Sequence, residues 1–145
     1  MTNDNNIQVL QDVTAKLIDS CEGYQMCADI VDNDRTLKNE FLQRKNKRNL
    51  LVDEFNGKIT ALGGEIKESG SAAGAIHRVY TKFVNIFKDD EEAAVDALDD
   101  GEEYLAEYIE KKRKVDGLTP DTLNLLNKAH ASALAGERFA DFLDD

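Results

Sequence analysis

Chemistry in a helical protein needs converging side chains of the right types, and few candidates stand out among these 145 residues. Glu102 and His130 are the residues a metal would draw on first. His77 and Arg78 sit together behind Ser71 to Gly74, where backbone N–H groups at a helix start could help hold an anion; the plainer reading is that the pair anchors a long connection by hydrogen bonds. Arg44 and Arg48 stand four apart on an otherwise apolar stripe. Two such cations must either run out to solvent along their alkyl stems, the preferred reading, or pair inside with an acid, for which Glu102 is the natural partner.

A two-metal carboxylate bundle needs inward carboxylates on two helices and a Glu-x-x-His on each of the others. No such spacing exists here: Gly74 precedes His77 by three residues and Asn127 precedes His130. At comparable inward positions stand Arg44, Arg48, Gly101 and Gly136, none of them a metal donor. Asp96, Asp100, Gly101 and Glu107 fall at places one, five, six and twelve of a calcium-loop pattern, but Leu98 occupies place three and the window reads as helix. Cys21 and Cys27 lie six apart on a helical pattern, unsuited to a mutual disulfide, and Cys21 reads as a small core residue. No nucleotide loop, Ser-His-Asp or Cys-His arrangement occurs. The expectation is therefore no cofactor, no metal and no enzymatic activity.

The elements that must position these residues are helices. The first stripe, Leu10, Val13, Leu17, Cys21, Tyr24, Ala28 and Val31, begins behind an expected cap at Asn5-Asn6. Asp32-Asn33-Asp34 ends it and restarts a long helix carrying Leu37, Phe41, Leu51, Phe55, Ile59 and Leu62, stopped by Gly63-Gly64. A small-residue connection of about residues 64–88 follows, carrying a short amphipathic helix with Ile76, Val79, Tyr80, Phe83 and Phe87. Asp89 and Glu92 suggest the capping box of the next helix, with Ala94, Leu98, Gly101, Leu105, Tyr108 and Ile109 inward. After Gly117, Thr119-Pro120 opens the last helix, with Thr122, Leu125, Ala129, Ser132 or Ala133, Gly136, Phe139 and Leu143 inward.

Two long helices, a crossover and two more helices form an all-α fold: a four-helix bundle with ferritin-like connectivity in one domain over residues 1–145. The alternative is a cluster of five helices in which the crossover helix joins the core. A formal charge of −11 argues against binding nucleic acid or an anionic membrane surface. The reduced cysteines and polar N-terminus point to the cytoplasm.

Leu62-Gly63-Gly64, the run Gly70-Ser71-x-x-Gly74-x-x-His77-Arg78, and Gly101-Glu102-Glu103 with an aromatic residue following resemble the bacterial ferritin-like four-helix-bundle family filed as domain of unknown function 2383. The resemblance spans nearly the whole chain and implies the fold, with no activity to carry over. The family's last helix has a His where this chain has Gly136. The functional expectation is a non-enzymatic bundle acting through its surfaces or as a homo-oligomer, in a stress or storage setting. A metal-binding bundle with a non-standard site and an anion binder at the crossover are the alternatives.

Overall fold

The structure, a computed structural model, describes residues 2–70 and 91–144. Four helices make up its regular structure: α1 (Thr2–Ile30), α2 (Arg35–Ala61), α3 (Glu91–Lys112) and α4 (Pro120–Asp144). No strand occurs among the described residues.

Helix ends follow the local chemistry. Asp34 caps α2 by accepting from the Leu37 amide at 3.1 Å. At the other end Gly63 takes φ 88°, and the amides of Gly63 and Gly64 close back on the carbonyls of Thr60 and Ile59. That left-handed turn is open to glycine at little cost and closes the helix's last carbonyls. Thr119 caps α4 through its hydroxyl, with Pro120 at the first helical position.

α1 departs from the sequence reading, beginning at Thr2 rather than behind a cap at Asn5-Asn6. Asn6 lies inside the helix, fully buried, and serves a different helix. Its Nδ2 donates to the Gly117 carbonyl at 3.2 Å, while its Oδ1 accepts from the Thr119 amide at 3.0 Å, where α4 starts. A short amide side chain satisfied by tertiary partners has no need to end its own helix.

These contacts also fix direction. The start of α1 lies beside the end of α3 and the start of α4, and Lys58 near the end of α2 pairs with Asp121 at the start of α4. Asp34 and Leu37 at the start of α2 border the same groove as Glu91 and Val95 at the start of α3. The helices therefore run up, down, down, up, with the end of α2 and the start of α3 at opposite ends of the bundle. The connection between them is described as far as Gly70. Its described part ascends beside α1: Gln11 donates to the Glu65 carbonyl, and a Cβ on Gly70 would meet Asp19 Oδ1 at 1.8 Å. The short helix expected over Ile76 to Phe87 and the cap at Asp89 lie outside the described residues.

Among the described residues the core has two apolar clusters. One gathers Leu10, Val13, Leu17, Leu51, Phe55, Leu105, Ile109 and Leu126; the other holds Tyr24, Ala28, Val31, Phe41, Ala94, Leu98 and Ala140. In the second, Phe41 meets Phe139 edge-on at 6.0 Å and Tyr24 at 6.3 Å. On α4 the buried face follows Leu126, Ala129, Ala133, Gly136 and Ala140. Leu125, the expected inward leucine, is only partly buried, because this helix packs through a seam of small residues that turns Leu126 inward.

Candidate functional site

Between the two apolar clusters every helix contributes a polar or small residue: Ser20 and Tyr24 from α1, Arg48 from α2, Glu102 from α3, and Ser132 and Gly136 from α4. Arg48 is 3% exposed and Glu102 1%. The guanidinium of Arg48 grips the carboxylate by both oxygens, one nitrogen on Oε1 and Nη2 on Oε2 at 2.8 Å. Such a fork places two charge-assisted hydrogen bonds in parallel, the geometry that distinguishes arginine from lysine. Nη2 also donates to the Ser132 carbonyl at 3.1 Å and to its Oγ at 2.9 Å, and Nη1 to Ser20 Oγ at 3.3 Å.

Tyr24 closes the other side, donating its hydroxyl to Glu102 Oε2 at 2.9 Å with its ring 5.5 Å from the Arg48 guanidinium carbon. Burial and the neighbouring carboxylate hold the Tyr24 hydroxyl above the ordinary phenol range, so it stays a donor. Burial is the largest single influence on Arg48 and would lower its pKa, but the charge and hydrogen bonds of Glu102, with smaller contributions from Tyr24 and Cys21, together outweigh it and hold the guanidinium above its usual value. Only Arg48 Nε lacks a hydrogen-bond partner in this group.

Gly136 makes the space. A Cβ built there would lie 1.6 Å from Glu102 Oε2 and 2.9 Å from the Tyr24 hydroxyl. The carboxylate fits because the facing helix presents no side chain at that level.

Arg48 therefore does not run out to solvent as the sequence reading preferred: it lies in the interior with Glu102. Arg44 is half-buried, its guanidinium carbon 4.0 Å from the centre of the Phe139 ring. His130 is set apart from Glu102. It is partly buried and faces Glu110 Oε2 at 3.3 Å, with Arg113 bonded to the same oxygen. Burial and the Arg113 charge lower the His130 pKa, Glu110 opposing them. His77 and Arg78 lie outside the described residues. Asp96, Asp100, Gly101 and Glu107 belong to the continuous helix α3, which lacks the turning loop that calcium coordination needs. Both cysteines are free and buried, and burial raises Cys21 to about 11 and Cys27 to about 12, values that keep them as thiols.

Among the described residues, the donor set at mid-bundle does not fit a dinuclear metal centre. The inward carboxylate at mid-bundle has both oxygens taken by a guanidinium, and a fixed cation repels a metal ion from the same layer. Three residues before Glu102 on α3, Asp99 forms a different acidic group with Glu137 and Asp141 of α4, their carboxylate oxygens within 4.8 Å of one another. Burial and these neighbours push Asp99 up to about 6.

Arg48 and Glu102 are the pair their positions in the sequence suggest, whereas Tyr24 and Ser132, expected only as members of the core stripes, carry polar roles. The available signal was the stripe of α2, which has no apolar residue between Phe41 and Leu51 where the helical period demands one.

Four described helices with an ion pair across the middle of the core define a helical bundle whose centre is polar and, apart from Arg48 Nε, internally hydrogen-bonded. Residues 5–114 match the family described as a domain of unknown function (DUF2383), and the chain belongs to that family. No curated protein and no solved structure matches the chain. No described helix is long and apolar enough to cross a membrane.

Proposed function

We propose that the protein is a non-catalytic helical bundle that works through its surfaces, with the Arg48–Glu102 pair setting helix register rather than performing chemistry. One observation carries this reading: the layer in which a bundle of this topology would gather reactive groups is filled by a bidentate pair whose outward hydrogen bonds end on Tyr24, Ser20 and Ser132. Each oxygen of Glu102 already accepts from a fixed donor, and the guanidinium held against it disfavours taking up a proton or a metal ion there. A one-residue slide of α3 would withdraw Glu102 from Arg48 and leave two buried charges unmatched, a strong penalty on every other register. Net charge of −11 favours protein partners over nucleic acid.

Elemental analysis and solution mass measured on one purified sample test the reading. The expected result is protein of defined mass without stoichiometric metal. Iron, manganese or zinc in whole-number ratio would overturn it and direct attention to Asp99, Glu137 and Asp141.

A further inference from the structure

At the end of the bundle where α1 passes into α2 and α3 begins, three helices leave a groove of about 730 Å³. Its apolar lining comes from Leu37 of α2, Val95 of α3 and Leu143 of α4, all of which pack on the same core cluster beneath. Phe142, beside Leu143 on α4, is 76% exposed, more than any other large apolar residue among those described.

The rim is acidic. Asp34 is engaged in capping α2, but Glu40, Glu91 and Glu92 are exposed and form no ion pair among the described residues. Some acids elsewhere on the surface are matched, Asp121 by Lys58, Glu54 by Lys128 and Asp12 by Lys112, whereas those at this rim border an apolar floor. Glu91 and Glu92 favour the positive end of α3, which accounts for their place in its first turn. That does not account for Glu40, on a different helix across the groove.

We propose that this groove is the docking site for a cationic amphipathic segment of a partner protein, apolar side chains seated on Leu37, Val95 and Leu143 and Lys or Arg side chains meeting Glu40, Glu91 and Glu92. The inference rests on the surface-acting reading above and names its partner's chemistry. Unmatched charge of one sign around an apolar floor selects partners of the opposite sign and rejects acidic ones by repulsion. A second copy of this acidic chain is a poor occupant on the same ground.

The test uses the full chain and a synthetic amphipathic helix of Leu and Lys, with a helix of Leu and Glu at identical apolar spacing as control. Methyl NMR should show the Leu–Lys helix shifting Leu37, Val95 and Leu143, and raising salt from about 0.05 M to 0.3 M should weaken binding roughly tenfold. Glu40→Lys with Glu92→Lys, at exposed positions that leave the core intact, should weaken it by about tenfold or more. Equal binding of the Leu–Glu helix, shifts centred elsewhere, or no binding would overturn the proposal. So would shifts of these methyls with protein concentration alone, which would identify a second copy as the occupant. Stoichiometric metal in the same sample would instead remove the surface-acting reading, whatever the peptide does.

Discussion

A methyl group on Gly136 would lie 1.6 Å from Oε2 of Glu102, so the buried carboxylate occupies volume that any other residue at position 136 would claim. Backbone permissiveness is not at issue, since Gly136 lies within a regular helix. Gly136→Ala should therefore cost about 3 kcal/mol, the upper range for overpacking a filled core. In an Arg48→Met, Glu102→Ala background the same change should cost less than about 1 kcal/mol, because the atom it strikes is gone. Urea denaturation of the four proteins measures both costs, and equal penalties in the two backgrounds would show that the carboxylate is not what Gly136 accommodates.

Removing one charge from the central pair strands the other. Glu102→Gln keeps the shape but leaves Arg48, 3% exposed, without its counter-charge, and a loss of about 3 kcal/mol at neutral pH is expected. Replacing the pair by Met at 48 and Leu at 102 should recover most of that loss, since apolar side chains of similar volume need no compensating charge. A neutral Glu102→Gln would mean that water, not Glu102, balances the guanidinium.

Much of the fold was legible because the helical period, the caps and the glycine stops all pointed the same way. Leu10 to Ala28 on α1, Val31 just beyond it, and Phe41, Leu51, Phe55 and Ile59 on α2 are buried as their spacing requires. The central pair was half legible: the stripe showed that Arg48 faced the core, but whether a long cation runs outward or turns inward depends on what stands opposite, which sequence spacing does not contain. Gly136 was read as the place of an absent ligand, yet its role is the room it leaves for Glu102. Asn6 was assigned as a local cap because asparagine favours that position, and a contact 111 residues away overrode the preference.

That contact makes a prediction of its own. Asn6→Ala would leave the Thr119 amide without its Oδ1 acceptor and the Gly117 carbonyl without its Nδ2 donor, in a part-buried setting. The expected loss is about 2 kcal/mol, with the Thr119 amide exchanging hydrogen faster than in the parent protein. Asn6→Asp keeps the acceptor and should fall between the two. Unchanged exchange at Thr119 in the alanine variant would assign the capping of α4 wholly to the Thr119 hydroxyl.

The acidic group on α3 and α4 gives stability a pH dependence of definite sign. Asp99 is pushed from 3.8 up to about 6, by burial first and then by Asp141, Glu137 and Asp100. A carboxyl that binds its proton more tightly in the folded state contributes stability that is fully present below its unfolded pKa and is lost as pH rises through the folded value. The window therefore runs from about 4 to about 6, with the folded protein bearing unrelieved repulsion above it. Asp141→Asn should raise the melting temperature near neutral pH, and the gain should shrink toward pH 4, where protonation of Asp99 already relieves the repulsion in the parent protein. Because Asp99 and Glu137 are only partly buried and Asp141 is exposed, solvent screening keeps the gain under about 1 kcal/mol. A gain of the same size across the whole range would trace the effect to helix propensity at position 141, and a loss near neutral pH would show that Asp141 is held by a cation rather than repelled by Asp99.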